Sequence, residues 1–315
     1  MTLRAGQVGP DQPPPEAWRL MLSDLTLLRL NPLGLETRAR FGLQKRLYYS
    51  EKAITRNNFL FLGSFPKLNP ASAQVSLGGE LQPASILNIR AFGEIQQYFG
   101  TFGFLQSFSS ANANYADDRL KDFRDDPARA PEAKRLLHFS IQPLLQVKAG
   151  PIAVRALFQL SYWSFDIREG ENLVYEPTLD TLLPDKGWTF NVDTDVLYTG
   201  RPGLAIGLRH TYVRPFYNSD HFENAVDQDA YEGRNAHHRL GLFAAYTFKD
   251  EGPSTFNKPT VILIMSWYLK HRWRTGEPDT ARMLEDGATP GDYINRAIPY
   301  FLAAFAFESD FIPVN

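Results

Sequence analysis

Apolar and polar residues alternate along most of this chain with a period of two. In "LETRARFGLQKRLYY", residues 35–49, Leu35, Thr37, Ala39, Phe41, Leu43, Leu47 and Tyr49 fall on one parity. Glu36, Arg38, Arg40, Gln44, Arg46 and Tyr48 fall on the other. "SILNIRAFGEIQQYF" sets Leu87, Ile89, Ala91, Ile95 and Phe99 against Asn88, Arg90, Glu94, Gln96 and Tyr98. "LLHFSIQPLLQVK" and "WTFNVDTDVLY" repeat the division, with His138, Gln142, Gln146 and Lys148, then Asn191, Asp193 and Asp195, on the polar side. Periods of 3.6 residues are scarce, so the pattern predicts an all-β chain. Twelve strands are expected, over about 20–30, 35–49, 56–65, 71–82, 85–99, 136–149, 152–166, 188–199, 203–216, 236–249, 259–272 and 296–308. "AIPYFLAAFAFE" is apolar on both faces, and the first strand slips parity around Asp24.

The connections carry a second pattern. "LQPAS", "KAGPI" and "TGRPG" are tight links, and "SEKAITR" and "KDEGPSTFNKP" are moderate ones, all at one end of the strands. The other end carries long polar segments near 100–135, 167–187, 217–235 and 273–295. Tight turns at one end and long loops at the other are the habit of membrane barrels. Many of the strands reach ten residues, longer than the five or six of soluble sheets; a tilted membrane strand needs roughly nine to eleven.

Composition narrows the reading. The chain has 315 residues and no Cys, so disulfides and thiolate metal sites are excluded. A net charge of -2 gives no basic footprint for a nucleic acid. No run of about 18 uncharged apolar residues is present, which rules out a membrane helix and leaves strands open, because a barrel strand shows only half of its residues to lipid. The opening "MTLRAGQVGPDQPPPEAWRLM" lacks the apolar stretch of a signal peptide; residues 1–19 are expected to form a flexible Pro-rich segment ahead of a barrel domain over 20–315.

The strand lengths, the turn asymmetry and the aromatic residues near strand ends (Tyr48, Tyr49, Tyr98, Phe99, Trp163, Phe165, Trp188, Phe190, Tyr246, Phe248, Trp267) together make the chain resemble a Gram-negative outer-membrane β-barrel over roughly residues 20–310. The resemblance rests on architecture rather than on a diagnostic motif. It implies a closed antiparallel up-and-down transmembrane β-barrel of about twelve strands, located in the cell outer membrane with lipid around it. The ending "FAFESDFIPVN" departs from the family habit of a terminal Phe, so Phe307 or Phe311 would serve as the assembly signal.

Closure of such a ribbon turns the polar parity inward, because every backbone group in lipid must be paired. The expected lumen then contains Arg38, Arg40, Arg46, Arg90, Lys148, Arg155, Arg209, Arg239, Lys270 and Arg272 against Glu36, Glu80, Glu94, Asp193 and Asp195. A basic lumen raises the local concentration of anions. The function expected is a narrow channel for small anionic solutes, touched first by Arg38 and Arg40. The alternatives are a filled barrel that anchors envelope proteins and a lipid-modifying enzyme.

The enzyme alternative has one sequence handle. "REGENLVYEP", Arg168 to Pro177, is similar to the segment before the active strand of outer-membrane phospholipase A, where a His and a Ser two residues apart follow. The downstream "WTFNVDTDVLYTGRPG" holds neither, so no catalytic residue is carried over, and GxSxG, HExxH and P-loop patterns are lacking as well. No cofactor and no metal are expected. His237 and His238 are neighbours that point to opposite faces, and the segment 219–238 reads as a solvated acidic loop.

Overall fold

The computed structural model describes residues 14–102, 105–126, 129, 133–249, 256–276 and 298–313. Its strands in chain order are β1 (Arg19–Leu30), β2 (Gly34–Lys45), β3 (Phe59–Ser64), β4 (Lys67–Asn69), β5 (Ser72–Ala84), β6 (Leu87–Tyr98), β7 (Ser107–Phe108), β8 (Arg135–Ala149) and β9 (Ile152–Phe165). They continue with β10 (Leu173–Glu176), β11 (Thr181–Pro184), β12 (Gly187–Tyr198), β13 (Leu204–Phe216), β14 (His237–Thr247), β15 (Asn257–Lys270) and β16 (Tyr300–Pro313). Two short helices, α1 (Asp117–Asp125) and α2 (Ala225–Tyr231), lie between wall strands.

β3 and β4 are two pieces of one wall strand, both held between β2 and β5. Pro66, which has no N–H to give the ladder, stands at the break, and its carbonyl accepts from Ala39 N at 2.9 Å. β7, β10 and β11 form a separate small sheet. The remaining pieces make twelve antiparallel wall strands, each beside its sequence neighbour. The barrel is closed by β1 pairing with β16, from Leu20 opposite Phe311 to Leu30 opposite Phe301. No edge is left, and no described helix is long and apolar enough to cross a membrane. The crossing is made by strands.

The sense of the alternation is inverted relative to a soluble sheet. On β5, Leu77 is 73% exposed while its neighbour Ser76 is buried. Val75, Leu137, Val147, Val196, Leu208, Leu242 and Leu263 are exposed in the same way, while Gln74, Glu80, Arg90, Glu94, Gln142, Asp193, Asp195 and Arg209 are buried. A belt of exposed Leu, Val and Ile around a charged interior is stable only with hydrocarbon outside.

The interior has two sectors. One is polar. The other is an apolar cluster of Leu25, Leu27, Leu197, Ala205, Phe243, Ala245, Ile262, Ile264, Leu302, Ala304 and Ala306, contributed by β1 and β12–β16. This accounts for a final strand that is apolar on both faces: Ala303 and Phe305 face out, and Leu302, Ala304 and Ala306 face the cluster. It also corrects the slip expected at Asp24. Pairing of β1 with β2 runs unbroken from Arg19–Gln44 to Arg29–Gly34, with Leu25 and Leu27 inside and Asp24 and Thr26 outside. There the Thr26 hydroxyl donates to Asp24 at 3.2 Å and meets the Thr37 hydroxyl at 2.9 Å.

At the loop end, segments expected to be exposed turn inward. Leu173, Val174, Leu182 and Leu183 of the small sheet are fully buried. They pack with Tyr98, Leu136, Trp163, Phe165 and Val213 from the inner wall, and with Tyr115, Tyr217, Phe222 and Trp273 from the other loops. Tyr98, Trp163 and Phe165 therefore belong to this inner layer and not to an outer girdle. Trp188, Tyr246, Phe248 and Trp267 do face outward. The mixed-charge segment 116–135 contributes α1 to the layer. Residues 277–295 of the fourth expected loop lie outside the described residues, as do residues 1–13 of the expected N-terminal segment.

Candidate functional site

The polar sector begins on β2. Strand parity points Glu36, Arg38 and Arg40 inward, and Arg38 Nε donates to Glu36. Arg40 lies 3.2 Å from Glu80 and 3.5 Å above the Phe61 ring. Arg90 joins the same carboxylate through Nε at 2.6 Å and covers Phe65 at 4.9 Å. One Glu thus serves two guanidinium groups, each also stacked on an aromatic ring. Phe61 fits because two glycines flank it: a Cβ on Gly42 or Gly63 would come within 2.8 Å of its ring. Further up, Lys67 Nζ is 3.3 Å from Glu94, whose other partner is Nδ1 of His138. The His138 ring stacks on Trp163 at 3.8 Å.

A second network crosses β9, β12, β13 and β14. Asp195 accepts from Arg155 at 2.5 Å and from Arg209 at 2.6 Å, and Thr211 donates to Asp193 at 2.5 Å. Arg155 and Arg209 both face the Phe243 ring, the junction with the apolar sector. Arg239 lies 4.0 Å over the Tyr300 ring, and its Nε and Nη1 have no hydrogen-bond acceptor among the described residues.

Above the first network a cavity of about 1090 Å³ opens between the wall and the loop layer. Its wall side carries Arg29, Glu36, Arg38, Lys67, Glu94 and His138; its loop side carries Asp117, Leu120, Tyr175, Glu176 and Leu179. Arg29 reaches it across Gly34, where a Cβ would sit 2.5 Å from Arg29 Nε. That Nε also lacks an acceptor among the described residues.

The loop layer is fastened to the barrel at one carboxylate. Asp180, in the turn between β10 and β11, accepts from Tyr175 at 2.8 Å, from Tyr268 at 2.5 Å and from Arg274 Nη2 at 3.1 Å. Arg274, in the π-helical turn after β15, also holds Asp117 of α1 at 3.0 Å. His271 Nε2 lies 2.9 Å from the Asp180 carbonyl. Burial alone would raise the Asp180 carboxyl, but Arg274 and His271 outweigh it and hold it well below the ordinary carboxylate range. Burial, reinforced by Arg274 and opposed by Asp180, keeps the His271 imidazole below its usual value.

Of the residues expected in the lumen, Glu36, Arg38, Arg40, Glu80, Arg90, Glu94, Arg155, Asp193, Asp195, Arg209 and Arg239 stand on the inner parity of wall strands, and Lys148 shares that parity but is exposed at the turn end of β8. Three lie elsewhere. Arg46 is past the end of β2, paired with Glu16 at the turn end. Arg272 is in the loop layer, 3.2 Å from the Ala111 carbonyl and from Asn235. Lys270 is carried off the lumen face by a bulge at His238/Arg239, which sets it opposite His238 on the outer wall. Arg29, Lys67, Asp180 and Arg274 were not anticipated. The apparent slip at Asp24 hid the first, the break at Pro66 the second, and loop residues carry no parity to read. Among the described residues, no three His, Asp or Glu are grouped to hold a metal.

No family model and no curated protein matches the chain. Among solved structures it is similar to the NanC porin (8% identity over 92% of this chain and 100% of that one, TM-score 0.37). It is likewise similar to an outer membrane channel from Pseudomonas putida F1 (11% identity, 98% and 100%, TM-score 0.40). The translocator domain of the autotransporter NalP from Neisseria meningitidis is as near (9% identity, 94% and 88%, TM-score 0.38). At these values the likeness concerns barrel architecture only. The closed twelve-stranded wall and its apolar belt are those of a transmembrane β-barrel.

Proposed function

We propose that the barrel is a narrow channel for small anionic solutes, entered from the cavity beneath the loop layer. The observation that carries this reading is the composition of that cavity's wall. Arg29, Arg38 and Lys67 converge there, and Arg29 brings an Nε that no carboxylate or carbonyl among the described residues occupies. Bases outnumber carboxylates along the inner wall below it, so an anion passing from the cavity meets a net attractive field in a low-dielectric enclosure. Arg38 and Arg40 lie in line on β2 and are the residues we assign to first contact. The solute would slide past guanidinium groups already bound to Glu36 and Glu80, which keeps binding weak enough for release.

Purified protein in a planar bilayer is expected to give discrete conductance steps that favour anions. Arg38→Ala with Arg40→Ala is expected to reduce that preference, since Glu36 then loses its guanidinium partner. Silent bilayers from protein that migrates as a folded barrel would refute the channel. One observation favours a second reading, a filled barrel that anchors envelope proteins: the apolar sector fills the inner side of β1 and β12–β16 and touches the Arg155–Asp195–Arg209 network through Phe243. That reading predicts the silent result. No enzymatic role is proposed. "REGENLVYEP" runs into β10 of the small sheet, and β12, the wall strand after it, has no Ser or His.

A further inference from the structure

The outer wall is apolar along β5, β6 and β9 and along β8 except for Arg135 at its loop end, whereas at the loop end of β13, β14 and β15 several basic side chains gather. His210, Tyr212 and Arg214 point outward on β13, and His238 of β14 stands opposite Tyr212. Lys270, displaced by the bulge, stands opposite His238. His210 Nε2 lies 3.1 Å from His238 Nδ1, and the His238 ring stacks on Tyr212 with centroids 4.5 Å apart. Arg214 and Lys270 are exposed, bordered by the outward rings of Trp188, Phe216 and Trp267. The outward parities of β12, β13 and β14 carry no Asp or Glu.

Bases on a lipid-facing wall are costly against hydrocarbon and become tolerable at the depth of the headgroups. The bordering Trp and Phe rings mark that depth, because indole and phenyl groups gather where acyl chains end. At that level the negative charge on offer is lipid phosphate. A guanidinium fork and an ammonium on adjacent outward positions match its oxygens, and the Tyr212–His238 stack forms a flat shelf beside them. Long loops face outward in this class of barrel, so the patch lies in the outer leaflet. We propose that this face binds a phosphorylated lipid of the outer leaflet, its phosphate held by Arg214, His238 and Lys270. The inference does not depend on whether the lumen conducts.

The test uses the full chain in detergent micelles, incubated with bis-phosphorylated lipid A or with the same lipid stripped of phosphate, and native mass spectrometry of the lipid retained. The phosphorylated form is expected to be held about tenfold more tightly, and Arg214→Ser with Lys270→Ser to abolish that difference. Arg214→Lys with Lys270→Arg should preserve it, and inorganic phosphate at equal concentration should fail to displace the lipid. Folding of each variant is read from gel migration before and after boiling. If the double Ser protein does not fold, His238→Gln is measured in its place, with a several-fold loss expected. Equal retention of both lipids by the unaltered chain, or undiminished retention by a folded Ser or Gln variant, would overturn the proposal. Displacement by inorganic phosphate would overturn the lipid assignment and make the patch a soluble-anion site.

Discussion

Asp180→Asn isolates the charge that pins the loop layer to the barrel. Asp180 has φ +53°, a backbone conformation that Asn adopts at least as readily as Asp, so the turn itself is left intact. The amide, however, has one oxygen where the carboxylate has two. Tyr175, Tyr268 and Arg274 all donate to Asp180, so the new NH2 must face a donor. Removing one partner of a buried ion pair costs about 3–5 kcal/mol. Arg274 keeps Asp117 and Asn31, which argues for the lower end, near 3 kcal/mol. At about 1.4 kcal/mol per factor of ten, the opened hairpin becomes roughly a hundredfold more populated. Hydrogen exchange reads this directly: amides of Leu173–Glu176 and Thr181–Leu183 should exchange about a hundredfold faster, while those of β5, β6 and β8 keep their rates. Unchanged hairpin exchange would refute the latch. Equal acceleration in the wall strands would show that Asp180 supports the whole barrel and not the loop layer alone.

Acidification should loosen the same latch in two stages. His271 is held neutral with a lowered value, so its contribution is full above about pH 6.5 and falls as the pH drops below that. Asp180 has a lowered carboxyl, so its contribution is full above about pH 3.9 and declines below it. Hairpin exchange corrected for its intrinsic rate should therefore rise between pH 7 and 5, and His271→Gln should remove that rise; a flat profile would contradict the assignment. Leu77→Arg puts a charge on the lipid face and should lower barrel stability in vesicles by about 2–4 kcal/mol, read from urea unfolding. A neutral effect would mean that β5 does not face hydrocarbon. In Gly207→Ala the new Cβ would collide with the Val196 carbonyl, so the ladder must shift; roughly 1–3 kcal/mol of destabilisation is expected by the same assay.

The wall was legible in the sequence because lipid imposes a strict alternation. Leu87, Ile89, Ala91 and Ile95 against Asn88, Arg90 and Glu94 can be read from spacing alone, and β6 shows those faces. Parity fails wherever the backbone departs from regular pairing. The bulge beside Lys270 and the turn at Arg272 each moved a base out of the predicted lumen, and Pro66 divided a strand that had been read as ending at residue 65. An aromatic residue near a strand end has no parity-independent address, so Trp163 and Phe165 were read as outer rings. They belong inside because the loop layer offers Val174, Leu179 and Leu183 to cover them. That layer depends on contacts such as Arg274–Asp180, 94 positions apart, and no local pattern announces them.

The two interior sectors bear on how the cylinder is completed. The two charge networks of the wall join strands that are adjacent or one strand apart: Glu80 with Arg40 and Arg90, Asp195 with Arg155 and Arg209. The seam between the first and last strands is lined inside by Leu25, Leu27, Leu302, Ala304 and Ala306, where the contact spans nearly the entire polypeptide. Electrical matching of the wall is thus finished among adjacent and next-adjacent strands, and the ends meet across a joint lined mostly with hydrocarbon, with Arg29 as its buried base. The final stitch falls where a momentary misalignment does the least harm.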